Sequence, residues 1–87
     1  IVLTNSCFGW VKAGQRARGA EYFGVDFSTL DHAKVARAYG LQGERVEDPA
    51  HLASALRKGM EARGPVLIDV VVQSLQDTRA PVSKWVA

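Results

Sequence analysis

The sequence predicts an α/β domain with a parallel sheet. Two apolar runs rich in β-branched residues, at positions 1–4 and 66–72, are typical of buried strands. Between them lie segments with helical spacing and their own start and stop signals. Strands that alternate with helices favour a parallel sheet joined by right-handed crossovers. Few strands are present for such a sheet, so the pattern predicts the second half of a larger α/β domain.

The beginning of the chain predicts a strand, a turn and a short helix. Residues 1–4 form the strand, and the polar segment 5–9 follows as a turn that ends in glycine. Residues 10–18 can hold a short helix, which Gly14 weakens by about 1 kcal/mol relative to alanine. Residues 19–25 are predicted to form a loop.

The middle of the chain predicts a second helix and a weak strand. Ser28 and Asp31 have the form of a capping box, with an acid three residues after the cap. Gly40 is placed to end the helix. Residues 44–47 are a short strand candidate. Four residues fall on one stripe at helical spacing, namely Leu30, Ala33, Ala36 and Tyr39.

A third helix and a buried strand follow. Asp48 can cap the helix, and Pro49 fits its first position because the N–H that proline lacks would be unpaired there anyway. Gly64 and Pro65 stop the helix, and the nearly continuous apolar run 66–72 is typical of a strand covered on both faces. The apolar face of the helix is expected to contain Leu52, Ala55, Leu56 and Met60.

Composition excludes several classes of protein. Of the 87 residues, 47% are hydrophobic and 23% charged, which is ordinary for a globular domain and argues against disorder. The longest apolar run is interrupted by Asp69, so no membrane span is expected. A net charge of +2 is too small to indicate nucleic-acid binding. The single cysteine excludes a disulfide framework and indicates a reducing compartment, so a cytoplasmic location is expected.

The start and the end of the sequence carry two expectations about domain organisation. The chain begins directly with a strand and without Met, which is expected of a fragment. Residues 1–73 are predicted to form part of one domain. Residues 74–87 are polar and contain proline, and they are predicted to form a C-terminal tail.

The turn at residues 5–9 is the candidate site. Ligands of open α/β sheets bind at the carboxyl ends of strands, and this turn directly follows the first strand. Asn5 supplies an amide oxygen, Ser6 supplies a hydroxyl, and the backbone supplies carbonyls. Such hard oxygen donors suit a Mg²⁺ ion that bridges a phosphate. On spacing alone the signal is weak, because an Asn-Ser-x-x-Gly turn is in most proteins only a turn.

Other polar residues give weaker signals. Cys7 has no patterned His partner, so its thiol is expected to be passive. His32 and His51 are each expected to be exposed in the first turn of a helix, without the partners of a metal site. Asp69, within an apolar strand, must be hydrogen-bonded or near a sheet end, and we assign it no catalytic role.

Five short segments together resemble one family in their order and spacing. They are residues 3–10 (LTNSCFGW), 26–27 (DF), 38–40 (AYG), 45–49 (RVEDP) and 65–70 (PVLIDV). The family is the C-terminal cofactor-binding domain of thiamine-diphosphate enzymes of the acetolactate synthase and benzoylformate decarboxylase type. The resemblance extends to about Gln73. It implies the C-terminal half of a three-layer α/β/α thiamine-diphosphate-binding fold with a parallel sheet.

The resemblance implies a role for the turn. The family signature opens with Gly-Asp-Gly and closes with Asn-Asn, whose second asparagine matches Asn5, while Thr4 stands in place of the first. In the family the matching asparagine oxygen binds Mg²⁺, and so does the carbonyl two residues later, here that of Cys7. The signature aspartate and the catalytic glutamate would lie outside these residues, so no catalytic residue is assigned. The implied cofactor-binding residues are Asn5, Ser6, Cys7, Phe8 and Gly9.

The resemblance also implies a function. The intact enzyme would depend on thiamine diphosphate and Mg²⁺ and would act on 2-oxo acids, by decarboxylation or by acetolactate-type carboligation. Its partners would be its own pyrimidine-binding and middle domains, in a homodimer or homotetramer, and the 87 residues alone would be inactive. A different class, a non-catalytic flavodoxin-like interaction or regulatory module, would explain the βα order but not the matches around Asn5 and Pro49.

Overall fold

A computed structural model describes residues 1–74, 76 and 77, in two compact units. The first unit comprises Ile1–Thr4 and Leu30–Val72, and the second comprises Asn5–Thr29 with the described residues after position 72. The elements are β1 (Val2–Thr4), α1 (Gly9–Ala17), α2 (His32–Ala38), β2 (Gln42–Val46), a 3-10 turn (Pro49–His51), α3 (Leu52–Glu61) and β3 (Val66–Val71). Within the described residues, no helix has the length and apolar character needed to cross a membrane.

The first unit is built on a parallel three-stranded sheet with the order β1-β3-β2. β3 is last in the chain but central in the sheet, where Asp69 pairs with Val2 of β1 and Val70 pairs with Val46 of β2. Ile68 and Asp69 point to opposite faces of β3 and are both buried, as expected of a central strand. The predicted α/β class and the parallel sheet are therefore confirmed.

The start of α3 follows the predicted signals. The Asp48 carboxylate accepts a hydrogen bond from the Ala50 N–H at 2.9 Å, and Pro49 occupies the first position of the 3-10 turn that leads into the helix. The apolar core of this unit consists of Val46, Ala55 and Ile68, with the partly buried Leu52, Leu56, Val66 and Val70 packed around them.

The prediction that Met60 belongs to the apolar face of α3 is wrong. Met60 is 87% exposed. Gly59 faces the sheet instead, and a Cβ atom at this position would lie 3.0 Å from the Ile68 Cδ1 atom. The helix and β3 approach closely here, so the site favours a residue without a side chain, which a search for apolar residues overlooks.

The start of α2 differs from the prediction. The helix begins at His32, and its cap is Asp31, whose carboxylate accepts a hydrogen bond from the Lys34 N–H at 2.8 Å. Ser28 is therefore not the cap, although the predicted helix exists. Ala33 and Ala36 are buried, as the predicted stripe requires.

The ends of the predicted α2 stripe are exposed. Leu30 is 50% exposed and precedes the helix, and Tyr39 is 81% exposed at its end. Gly40 ends the helix as predicted, with a φ of +79° that L-residues with side chains rarely adopt. The strand that follows, β2, covers Gln42–Val46, which confirms the strand expected at 44–47 and moves its start two residues earlier.

The second unit contains α1, which covers Gly9–Ala17 and confirms the short helix predicted at 10–18. In the later stretch of this unit, the Ser74 hydroxyl donates to the Asp77 carboxylate at 2.5 Å. The two residues form a turn in which the Asp77 N–H donates to the Ser74 carbonyl. Apart from Ser74, Gln76 and Asp77, the predicted tail at 74–87 lies outside the described residues, so that prediction stands untested.

Gly43→Ala is expected to destabilise the first unit. An added Cβ would overlap the carbonyl oxygen of Ala33 on α2, so the backbone would have to shift. Such overpacking costs about 1–3 kcal/mol. The measurement is the hydrogen-exchange protection of β2 and β3 amides. Gly14→Ala in α1 is the control, because its Cβ meets nothing within 4 Å and alanine favours the helix; equal protection in both variants would contradict this packing.

Candidate functional site

Asn5 organises the turn that follows β1. Its Oδ1 atom accepts a hydrogen bond from the Cys7 N–H at 3.3 Å, which is the side-chain-to-backbone pattern of an Asx turn. Between them, Ser6 has a φ of +54°, a left-handed conformation that is uncommon for a residue with a side chain. The Asx turn helps to hold this conformation, and Asn5 itself is half-buried at the head of the turn.

The carbonyl of Cys7 has no backbone partner in the described part of the chain. Cys7 forms an isolated antiparallel bridge with Asp26. On either side of it, the Phe8 N–H donates to the Val25 carbonyl at 2.8 Å, and the Phe27 N–H donates to the Ser6 carbonyl at 3.1 Å. In this arrangement the N–H and C=O groups of the bridge residue point away from the partner segment. The Cys7 carbonyl therefore points away from the segment around Asp26, and the residue as a whole is buried.

Side chains of α1 bind the segment that forms the bridge to Cys7. Lys12 donates to the Asp26 carboxylate at 2.7 Å, and its ammonium lies 4.8 Å from the centre of the Tyr22 ring. The hydrogen bond to Asp26 raises the pKa of Lys12, which therefore stays charged. The Gln15 amide pairs with both the N–H and the carbonyl of Phe23. These contacts fix residues 22–26 relative to the turn.

The remaining members of the predicted site contribute in different ways. The Ser6 hydroxyl donates to the Thr29 hydroxyl at 3.3 Å. The ring centroids of Phe8 and Phe27 are 5.1 Å apart, which is an ordinary aromatic contact. Gly9 is the first residue of α1 and follows Phe8, which gives the helix no side-chain cap. The structure thus brings residues 5–9 together in one turn.

Sequence reasoning missed Gln76. Its Nε2 atom donates to the Gly9 carbonyl at 3.1 Å, and its Oε1 atom is buried without a hydrogen-bond partner among the described residues. Because a carbonyl can only accept, the orientation of this amide is fixed by the contact. The two residues are 67 positions apart, and no local pattern in the sequence links them.

A second polar cluster lies inside the first unit, around Asp69. The Asp69 side chain is fully buried in β3 and accepts hydrogen bonds from the Thr4 hydroxyl at 2.5 Å, the His32 N–H at 2.9 Å and the Arg45 guanidinium at 2.6 Å. Burial alone raises the pKa of the Asp69 carboxyl, but these hydrogen bonds and the Arg45 charge hold the pKa below its ordinary value of 3.8. The expectation that Asp69 is hydrogen-bonded is confirmed.

His32 has a hydrogen-bond partner that the sequence did not predict, and it is half-buried, so the expectation that it is exposed was wrong. Its Nδ1 atom lies 3.0 Å from the Thr4 hydroxyl oxygen, and its side chain is 32% exposed. The Thr4 hydroxyl has one proton, which it donates to the ionised Asp69. It therefore accepts from His32, whose Nδ1 must carry a proton. The partner lies 28 positions away, beyond the reach of any local pattern.

Acid is expected to weaken the first unit through Asp69. Because its folded-state pKa lies below the unfolded value, the carboxylate stabilises the fold above that value and loses this contribution as the pH falls through 3.8 and below. Hydrogen-exchange protection of β3, corrected for the intrinsic rate, should fall more steeply between about pH 5 and 3 in the natural protein than in Asp69→Asn. If protection falls equally steeply with pH in both proteins, the Asp69 carboxylate is not the source of this acid sensitivity.

The described residues do not form a complete metal site of side chains. Within positions 1–74, 76 and 77, no group of three His, Cys, Asp or Glu side chains could hold a metal ion. The turn instead presents two neutral oxygens, the Asn5 amide oxygen and the Cys7 carbonyl. Hard oxygens of this kind suit Mg²⁺, which usually keeps further ligands from phosphates and water. The donor set therefore fits part of a magnesium–diphosphate site.

Comparisons with known proteins agree with this fold. Residues 1–70 match the family described as thiamine pyrophosphate enzyme, C-terminal TPP binding domain. Acetolactate synthase of Bacillus subtilis (strain 168) is 43% identical over 72 residues, which are 83% of this chain and 13% of that protein. The mitochondrial acetolactate synthase catalytic subunit of Aspergillus candidus is 32% identical over 83 residues, which are 94% of this chain and 11% of that protein.

The match places the chain in a class of protein. The chain belongs to the thiamine pyrophosphate enzyme family and corresponds to its C-terminal TPP binding domain. The resemblance stated from the sequence is thereby confirmed, and a flavodoxin-like module is not favoured. The chain spans 13% and 11% of the lengths of these two relatives.

Proposed function

We propose that this chain is part of a thiamine-diphosphate- and Mg²⁺-dependent enzyme, in which residues 5–9 bind the metal ion and the cofactor diphosphate. The observation that carries the proposal is the Cys7 carbonyl, which has no hydrogen-bond partner among the described residues and lies two residues after the Asn5 amide oxygen. The bridge to Asp26 directs this carbonyl away from the neighbouring segment. Two hard oxygens are thus presented by one short turn that follows a parallel strand.

The chemistry of the ligand explains why a metal ion is needed here. A diphosphate carries several negative charges, and neutral oxygens in the turn cannot neutralise them. A Mg²⁺ ion held by Asn5 and the Cys7 carbonyl neutralises the diphosphate and fixes its position. Ser6, Phe8 and Gly9 shape the turn around this ion. When bound, thiamine diphosphate supplies an ylid and an electron sink, and the protein orients it.

The proposed reaction is acetolactate-type carboligation of 2-oxo acids. Both relatives described above are named acetolactate synthases, and one is 43% identical over most of this chain. Decarboxylation without carboligation is the other outcome that this cofactor supports. The remaining metal ligand and the catalytic acid–base group would come from other parts of the same enzyme, which we propose to assemble as a homodimer or homotetramer. The buried thiol of the single cysteine fits a cytoplasmic enzyme.

The test is turnover by the complete protein with thiamine diphosphate, Mg²⁺ and pyruvate. Formation of acetolactate with release of CO₂ is the expected result. Acetaldehyde as the product would show that the enzyme decarboxylates pyruvate without carboligation. The 87-residue chain alone should yield neither product. Failure of the complete protein to retain thiamine diphosphate at saturating Mg²⁺ would overturn the proposed function and favour a non-catalytic module.

A further inference from the structure

The direction of the Cys7 carbonyl depends on a segment that is distant in sequence. Cys7 lies opposite Asp26 in an isolated antiparallel bridge. Beside this bridge, the Phe8 N–H donates to the Val25 carbonyl at 2.8 Å. These four residues all belong to the second unit, so one compact unit contains both the turn and the segment that directs its carbonyl. Any contact that holds this segment in place therefore bears on the orientation of the carbonyl.

Lys12 is the α1 side chain that holds Asp26. Its ammonium donates to the Asp26 carboxylate at 2.7 Å and lies 4.8 Å from the centre of the Tyr22 ring. The Lys12 side chain is only 13% exposed, so its stem is packed and has little freedom to move. The helix that carries it begins at Gly9, two residues after Cys7. Lys12 thus closes a ring of contacts that runs from the turn through α1 and Asp26 back to the turn.

The ion pair between Lys12 and Asp26 contributes more to order than to folding stability. The Asp26 side chain is 58% exposed, and water screens an ion pair of this kind, which therefore adds little to the stability of the fold. The pair does restrict the positions that the segment can take before a ligand arrives. A ligand that binds to the turn then need not supply this ordering, and its affinity rises accordingly.

We propose that Lys12 is a positioning residue for the Cys7 carbonyl, which it orients through Asp26. The inference rests on the proposed function of the turn. With the ion pair formed, the bridge keeps the carbonyl directed away from the segment around Asp26. Mg²⁺ demands near-ideal octahedral geometry, so a ligand that is already oriented binds the ion at a lower concentration.

A double-mutant cycle in the complete enzyme tests this role. Lys12→Met removes the ammonium and keeps most of the apolar stem, Asp26→Asn removes the charge of its partner, and Lys12→Arg retains a charged donor. Lys58→Met is the matched control, because Lys58 forms an ion pair with Glu44 at 3.6 Å in the first unit. For each protein, the Mg²⁺ concentration that half-saturates thiamine-diphosphate retention is measured, together with the melting temperature.

The expected results follow from a shared contact. Lys12→Met and Asp26→Asn should each raise the half-saturating Mg²⁺ concentration about 10-fold, the lower end of the cost of losing a group that orients a metal ligand. The double variant should be no worse than either single variant, because both substitutions remove the same contact. Lys12→Arg should recover most of the loss. Additive effects in the double variant, or failure of Lys12→Arg to recover retention, would overturn the positioning role.

The control and the partner variant separate positioning from two other effects. Lys58→Met should keep the Mg²⁺ requirement of the natural enzyme, and the melting temperature of Lys12→Met should fall no further than that of Lys58→Met. A larger fall would reduce the effect to general destabilisation and overturn the inference. If Lys12→Met raises the Mg²⁺ requirement and Asp26→Asn does not, the ammonium acts on the diphosphate through its charge, and the positioning role is wrong.

Asn5→Ala distinguishes failure of this inference from failure of the proposed function. If Asn5→Ala raises the Mg²⁺ requirement and neither Lys12→Met nor Asp26→Asn does, the metal site stands and Lys12 does not position its ligand. If Asn5→Ala also leaves the Mg²⁺ requirement unchanged, Asn5 is not a metal ligand, and both the proposed role of the turn and the positioning role are wrong.

Discussion

Asn5→Ala is expected to raise the Mg²⁺ concentration at which the complete enzyme retains thiamine diphosphate by at least about 10-fold, because even partners that only orient a metal ligand cost about 10–100-fold when removed. The variant loses one proposed oxygen ligand and also the Asx turn that holds Cys7. High Mg²⁺ should restore binding, since the other ligands remain. The measurement is the cofactor retained after gel filtration at stepwise Mg²⁺ concentrations.

Cys7→Ser is the matched comparison for Asn5→Ala. Only the backbone carbonyl of Cys7 is proposed to bind the ion, and serine keeps that carbonyl in place. The buried thiol becomes a buried hydroxyl, which affects local packing but not the ligand set. We therefore expect a Mg²⁺ requirement close to that of the natural enzyme. A Cys7→Ser variant as impaired as Asn5→Ala would assign the thiol a role that this account denies.

Asp69→Ala is expected to destabilise the first unit by about 3–5 kcal/mol, the usual cost of removing one partner of a buried ion pair. The substitution leaves the Arg45 guanidinium, the Thr4 hydroxyl and the His32 N–H without their acceptor. The Arg45 side chain is only 15% exposed, so water cannot fully replace the carboxylate. Hydrogen-exchange protection of the β3 amides in the complete protein measures the loss.

The double variant Asp69→Leu with Arg45→Met is the control for this prediction. It replaces both charges by apolar side chains of similar size, which is often neutral for stability. Protection of β3 should then recover the part of the loss that comes from the unpaired Arg45 charge, while the Thr4 hydroxyl and the His32 N–H still lack their acceptor. If Asp69→Ala retains full protection, the hydrogen bonds to this carboxylate do not contribute as described. If the β3 amides are as poorly protected in the double variant as in Asp69→Ala, the unpaired Arg45 charge is not the cause of the lost stability.

Local signals predicted much of the fold. Asp48 and Pro49 mark the start of a helix through their own chemistry, and Gly40 marks an end because only glycine adopts its φ without strain. The run 66–72 predicted a strand covered on both faces, and β3 is the central strand. Such features depend on neighbours in sequence, so they can be recognised without the structure.

Long-range contacts explain where the predictions differ from the structure. Ser28 and Asp31 are both able to cap a helix, and the start of α2 is set by the Asp69 carboxylate, which accepts the His32 N–H from 37 positions away. The histidine partner, Thr4, is equally remote in sequence. Gly59 contacts the sheet only because α3 approaches β3 closely. None of these pairings has a periodic pattern.

The candidate site was likewise predictable from the sequence only where it depends on neighbouring residues. The position of Asn5 after a strand and its spacing to Cys7 were visible in the sequence, and the family resemblance gave them a role. The direction of the Cys7 carbonyl depends on the bridge to Asp26, 19 positions later, which no local pattern indicates. Gln76, whose amide contacts the Gly9 carbonyl, is beyond sequence reasoning for the same reason.

Isotope labelling tests whether the Cys7 carbonyl binds the metal ion as proposed. The complete enzyme is prepared with ¹³C at the cysteine carbonyl carbons, loaded with thiamine diphosphate and Mn²⁺ in place of Mg²⁺, and studied by electron–nuclear double resonance. We expect a ¹³C coupling typical of a directly bound carbonyl. The coupling should vanish in Cys7→Ser, which removes the label from position 7 while Mn²⁺ stays bound. Bound Mn²⁺ and cofactor without this ¹³C coupling would contradict the account.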